Sequence, residues 1–421
     1  HRLRGEVPDL KELDEISAGH PLFLTRVCFH AHLVNTAAYR LAKIGEDQPD
    51  PEGGAFGRDE SGRLNGWVYE NAAQAFYAAR PKPNLSEKKD TIRQAVKAAL
   101  ASGLTAVHTE DLRFFGSVAE LIEVYRELIE EGLYLRTHQL IYHPYLDELD
   151  ESGLKAGAGD EWFRIGAMKI FADGSIGGGT ARLSEPYADD PGNMGLLIHE
   201  DEELNELARQ AVKRNMPIAV HAIGDEAADR VIGVMERHPL SAQPERRLRH
   251  RLIHGQFLRK DLIERLAKLE VVVDIQPRFV ASDFPWVLER VGMKRALYAY
   301  SWKSLLDAGV RLAGGSDAPI EPLHPLLGIH AAVTRRRLEE PSDHPGYFPA
   351  QKLTPSQALQ LFTVGSAMAA GEERERGTLA VGKYADMTVV DRDLLTVNPD
   401  ELLQTQTVYT ISNGKIAYAA P

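Results

Sequence analysis

From about residue 86 onward the sequence alternates stretches of helical period with short apolar runs, and this alternation limits the fold more than any other feature. Helices are predicted over 86–103, 117–132, 200–215, 225–238, 259–270 and 295–309. Strands are predicted over 104–108, 133–142, 163–174, 217–225, 251–256, 271–277 and 310–319. The strand segments are close to continuously apolar, as strands covered on both faces are. Seven βα units approach the eight that close a TIM-type barrel, and the first is not obvious.

The flanks read differently. Residues 1–85 hold a strand (PLFLTRV), a helix (VNTAAYRLAKIG) and a hairpin (RDESGRLNGWVYE), the texture of a subdomain inserted into a barrel. After the helix predicted over 354–371, short β segments carry an Asn413-Gly414 turn signal. The expected division is an inserted subdomain over 1–85, a barrel over 86–375 and a small β unit over 376–421.

A chain of 421 residues with 43% hydrophobic and 26% charged side chains can bury a large core. Its net charge of −12 makes nucleic acid and anionic membranes poor partners and suits a small neutral or cationic ligand. One cysteine, Cys28, excludes an intrachain disulfide framework and any multi-thiolate metal site, and it reads as an inert small hydrophobe. No apolar window reaches membrane-spanning length and the first residues are polar, so a cytoplasmic location is expected.

Four ionisable residues fall at or near the C-terminal ends of predicted strands, the face on which such barrels build their sites. They are Lys169 in AMKIFADG, His221 in IAVHAIGD, His254 in RLIHGQ and Asp317 in LAGGSDAP, spaced 52, 33 and 63 residues apart. Counting back from Asp317 on strand eight places the others on strands four, five and six. A single histidine at a strand end is usually structural, and Asp317 alone could cap a turn. A lysine inside an apolar strand needs a chemical reason, because an unpaired buried ammonium costs several kcal/mol. Desolvated, its amine loses the proton more readily and can capture carbon dioxide as a two-oxygen carbamate. With two imidazoles and a carboxylate on neighbouring strands, the set can bind one or two divalent ions, zinc first.

These residues sit in motifs that resemble the amidohydrolase superfamily, most closely its N-substituted formamide deformylase-like branch, amidohydrolase family 3. The resemblance runs through MKIFADGSIGGGTARLSEPY, IAVHAIGDEA, RHRLIHGQ, LAGGSDAPIEP, the AAVTR run at 331–335 and GTLAVGKYADMTVVD. It implies an α/β fold, a (β/α)8 TIM-type barrel with a small flanking β-sandwich. It also implies Lys169, carboxylated, with His221, His254 and Asp317 as metal ligands, Asp317 doubling as the catalytic base. Members carry a His-x-His pair at the end of strand one, upstream of the segment matching residues 20–40, so the expected whole is a longer polypeptide.

Spacing alone offers His30 and His32 as a substitute for that pair. The resemblance instead places His30 in the inserted subdomain, facing substrate, and leaves His32 unassigned. His108 at the end of strand two, Asp173 at the head of a Gly-rich loop and Arg335 in AAVTR are further substrate-side candidates. The expected function is metal-dependent cleavage of an amide, N-acyl or N-formyl C–N bond in a small molecule. Metal-bound hydroxide would attack and Asp317 would shuttle the proton; a homo-oligomer is allowed. The alternatives are a catalytically silent barrel that binds or scaffolds, and a deaminase or cyclic amidase using the same site.

Overall fold

The protein, seen in a computed structural model, is described over residues 8–26, 29–240 and 247–421; Cys28 lies outside the described residues. Four short strands, β1 (Phe23–Thr25), β2 (Ala31–Val34), β3 (Gly54–Arg58) and β4 (Leu64–Glu70), pair antiparallel in the order β1-β2-β4-β3. Val34, Tyr39, Phe56, Leu64, Val68 and Phe76 form a separate core beneath them.

Seven parallel strands follow, alternating with helices: β5 (Ala106–Thr109), β6 (Arg136–Tyr142), β7 (Phe163–Phe171), β8 (Ile218–Ala222), β9 (His250–His254), β10 (Val271–Ile275) and β11 (Arg311–Gly314). They pair strictly in chain order, with β5 and β11 at the sheet edges. The helices bury one stripe each. In Val118–Glu130 the buried residues are Val118, Leu121, Val124, Tyr125 and Leu128, spaced for one helical face. The sheet curls into a barrel arc: Arg251 on β9 reaches His108 on β5, Nη2 to Nδ1 3.1 Å, although three strands lie between them. This is the TIM-type architecture that the alternating pattern predicts.

The last three strands, β12 (Met387–Val390), β13 (Thr407–Ser412) and β14 (Lys415–Ala419), form an antiparallel sheet. Asn413 and Gly414 make its two-residue turn with φ of 51° and 77°, the mirror-image geometry that Asn-Gly favours. This sheet is tied to the barrel by side chains. Thr410 and Thr388 donate hydroxyls to the Leu100 and Gly103 carbonyls, each at 2.6 Å. Arg136 at the start of β6 makes a two-pronged bond to Asp386 at 2.7 and 3.1 Å.

Two predicted helices are broken. The segment predicted as helix over 295–309 is helical only in Trp302–Asp307 and at the end of Trp286–Ala296, with Tyr300 held at φ 53° between them. The helix predicted over 354–371 contains a π-turn, Leu361–Gly365. A Cβ on Gly365 would lie 2.3 Å from the Leu312 carbonyl, so the turn admits close approach to β11. No helix among the described residues is long and apolar enough to cross a membrane.

Candidate active site

His221 lies near the C-terminal end of β8 and His254 closes β9, adjacent strands whose register sets Ala222 against His254. The facing nitrogens, His221 Nδ1 and His254 Nε2, are 2.9 Å apart. Their far nitrogens fix the tautomers. His221 Nε2 meets the Gly174 carbonyl at 3.0 Å, and His254 Nδ1 meets Gln276 Oε1 at 2.7 Å. The Gln276 amide cannot flip freely, because its Nε2 donates to the Asp274 carbonyl at 3.1 Å. Each far nitrogen therefore carries the proton, and each near nitrogen is left with a lone pair.

Burial lowers both rings' proton affinity, His254 to about 4 and His221 well below the usual histidine range, so both are neutral near pH 7. Two lone pairs that face each other across 2.9 Å repel unless a cation lies between them. Far nitrogens donating to oxygen acceptors is also how ligating imidazoles are held. His254 adopts φ 74° and Asp317, three residues past β11, adopts φ 56°; both are left-handed conformations uncommon outside glycine and concentrated at functional positions.

Lys169 is buried on β7, its Nζ 4.2 Å over the Phe171 ring. Burial lowers its amine to about 8, against the opposing pull of the Asp317 carboxylate. About a tenth of the amine is then neutral at pH 7. Among the described residues no three His, Cys, Asp or Glu side chains converge as a metal site; the donor set that fits an ion is His221 and His254, with Lys169 and Asp317 beside them.

An open cavity of about 650 Å³ stands over the histidines, lined by His30, Asp317 and the apolar Ile176, Phe279, Trp286 and Ile320. His30 comes from the antiparallel sheet region, its ring 4.8 Å from that of His221. Its Nδ1 meets Glu70 Oε2 at 2.8 Å, and Glu70 Oε1 accepts the Thr180 hydroxyl at 2.6 Å. Burial alone would depress His30, but the Glu70 carboxylate, with smaller help from Asp173 and Asp317, raises the ring above the ordinary histidine value. Gly174 makes this junction possible, since a Cβ there would lie 2.0 Å from Glu70 Oε1. His32 points elsewhere, stacked on Phe23 at 4.7 Å, so the two histidines of FHAH do not converge.

The other substrate-side candidates lie off the cavity wall. His108 packs inside the barrel against Arg251 and 5.0 Å from His138. Asp173 is fully buried and accepts the backbone N–H groups of Ile223, Gly224 and Arg182 at 3.0, 2.8 and 2.9 Å. It braces the loop beneath His221. Arg335 is also fully buried, donating to the Tyr347 and Tyr300 carbonyls at 2.7 and 3.0 Å above the Trp302 ring. Sequence reasoning missed Glu70, Gln276, Gln256 and Asp283. Glu70, Gln276 and Asp283 are brought in by distant approaches that leave no local pattern, whereas Gln256 ends the RHRLIHGQ motif and Glu321, also on the cavity wall, sits inside LAGGSDAPIEP.

Comparison with known proteins identifies the family. The profile described as the amidohydrolase family matches residues 5–418. A candidate amidohydrolase of Bacillus subtilis strain 168, YtcJ, is 40% identical over 417 residues, 98% of this chain and 77% of that protein. The N-substituted formamide deformylase of Arthrobacter pascens is 28% identical over 98% of this chain and 76% of its own length. Among solved structures, an uncharacterized metal-dependent hydrolase from Pyrococcus horikoshii OT3 superposes with a TM-score of 0.74 at 30% identity, covering 94% of this chain and 76% of that one. The chain belongs to the amidohydrolase family, in the branch (amidohydrolase family 3) that resembles the formamide deformylase.

Proposed function

We propose that this protein is a metal-dependent hydrolase that cleaves a non-peptide amide C–N bond, of the N-acyl or N-formyl type, in a small molecule. The observation that supports it most is the pair of buried, neutral imidazoles whose lone pairs face each other at 2.9 Å on adjacent strand ends. His221 and His254 would hold a divalent ion, zinc first, with Lys169 as its carbamate and Asp317 completing one or two sites. When bound, the ion supplies Lewis acidity toward the substrate carbonyl and acidifies a water molecule. Gly174 and Gln276 hold the two rings in the tautomers that present their lone pairs. Asp317, at the cavity edge, takes the proton from the attacking water and returns it to the leaving nitrogen. His30, held by Glu70 through Nδ1, donates a hydrogen bond to the substrate from the opposite element. Phe279, Trp286, Ile176 and Ile320 exclude bulk water and receive an apolar substituent.

The test is a panel of N-formyl and N-acyl amines incubated with protein purified without chelator, following release of the free amine. Turnover that falls at least about a hundredfold in Asp317→Asn is expected. Equal turnover in wild type and variant would overturn the assignment.

A further inference from the structure

The wall of the cavity built after β10 carries a carboxylate that the reaction above does not use. Asp283 ends the helix Arg278–Asp283 and lines the cavity. Both of its hydrogen bonds fall on Oδ2: one from the Tyr300 hydroxyl, and one from Gln256 Nε2 at 3.1 Å. Oδ1 has no hydrogen-bond partner among the described residues.

The support behind Asp283 is extensive. Tyr300 is buried and strained, at φ 53°. Its N–H donates to the Gln256 carbonyl at 2.8 Å, and its carbonyl accepts from Arg335 at 3.0 Å. The other arm of Arg335 holds the Tyr347 carbonyl, and the Tyr347 ring stacks on Phe284, next to Asp283, with centroids 4.6 Å apart. A fully buried guanidinium, with no carboxylate partner among the described residues, thus fixes two loops that converge on residues 283–284. Arg335 is a positioning residue for this wall, which explains the AAVTR run that the hydrolytic chemistry leaves aside.

Burial makes the charge of Asp283 unfavourable without a ligand. Glu321 lines the same cavity, paired with Arg278 at 3.3 Å, and repels Asp283. Burial pushes the Asp283 carboxyl up to about 7 although the Tyr300 and Gln256 hydrogen bonds pull it down, and Glu321 adds to the rise. Arg26, the guanidinium in the lining, donates to the Gly177 carbonyl. Trp286 and Phe279 add aromatic surface beside the carboxylate, a surface that suits a cation.

We infer that Asp283 is a specificity-determining residue that accepts an N–H from the substrate, so that the preferred amides carry a second, protonated nitrogen away from the scissile bond. This subsite rests on the cavity being the substrate site proposed above. A charge-assisted hydrogen bond there is worth roughly 1.5–3 kcal/mol, a preference of about ten- to a hundredfold.

Calorimetric binding of two probes of similar shape, benzylammonium and anisole, to metal-loaded protein at pH 8 tests the subsite without turnover. Wild type is expected to bind benzylammonium at least about tenfold more tightly, with the ratio collapsing to within about threefold in Asp283→Asn and falling part of the way in Tyr300→Phe. Equal binding of the two probes by wild type overturns the inference, even if a variant fails to fold. So does a ratio preserved in a folded Asp283→Asn protein. A preserved wild-type preference in a protein that hydrolyses no amide overturns the hydrolase reading alone, whereas amide hydrolysis without the preference overturns the subsite alone.

Discussion

Asp173→Asn separates two physical effects that oppose each other at one buried carboxylate. Three backbone N–H groups point at Asp173, two at Oδ2 and one at Oδ1. An asparagine can keep the two by placing its oxygen at Oδ2. Its amide then faces the Ile223 N–H, and one buried donor goes unsatisfied at about 1–3 kcal/mol. Against this stands the charge. Burial raises the Asp173 carboxyl from 3.8 to about 7 even though all three N–H donors, and His30, pull it down. The sign follows from linkage. Between pH 5 and 7 the unfolded chain carries this group ionised while the folded chain holds it protonated, so wild-type stability falls as pH rises. Over those two pH steps the loss is about 3 kcal/mol, and asparagine has no such slope. The variant should be about 1–3 kcal/mol less stable than wild type at pH 5 and equal to it or more stable at pH 8. Urea unfolding of chelator-treated wild type and variant at pH 5, 6.5 and 8 measures this, because titrations of groups remote from Asp173 cancel in the difference. A gap that stays constant, or that widens against the variant as pH rises, would show that the three donors keep Asp173 ionised and that burial does not dominate.

Other expectations follow from the same structure. Asp386→Ala removes the two-pronged partner of the Arg136 guanidinium, whose side chain is 4% exposed, leaving it the Glu161 carbonyl, the Glu161 carboxylate at 3.8 Å and the Trp162 and Tyr384 rings. Urea unfolding should show a loss of about 3–5 kcal/mol, and a change under about 1 kcal/mol would mean that the pair does not tie the tail sheet to β6. Glu70→Gln removes the carboxylate that holds His30 above the ordinary histidine value, so burial should win and the ring titrate lower. NMR titration of the His30 ring reads this directly, and an unchanged midpoint would contradict the pairing. Gln276→Leu frees His254 Nδ1, allowing the ring to place its proton on Nε2; metal affinity should fall about 10–100-fold by competition with a chelator.

The barrel was legible because its strands are buried on both faces and its helices on one, so each element writes its environment into a period. The same logic singled out Lys169, His221, His254 and Asp317 as candidates, since polar residues stand out at the ends of apolar strands. It failed where tertiary contacts set the backbone. Tyr300 breaks an otherwise periodic helix because Arg335 and Gln256 hold its carbonyl and N–H, and Gly365 bulges a helix to clear Leu312. It failed again for partners that meet only in space. Glu70 reaches His30 across 40 residues, and Gln256 reaches Tyr300 across 44, with no spacing that marks either pair. Asp173 and Arg335, expected on the substrate side, are fully buried and lie off the cavity wall.

The central claim is that the facing lone pairs of His221 and His254 are a cation site. Metal equivalents per chain, measured by elemental analysis of protein purified without chelator, test it directly, alongside His254→Ala and Lys169→Ala variants checked for folding by circular dichroism. One to two equivalents of a divalent metal in wild type, falling by at least one equivalent in the folded His254→Ala protein and reduced in Lys169→Ala, is the result predicted. Wild-type metal well below one equivalent, or a content that neither substitution changes, would contradict the account.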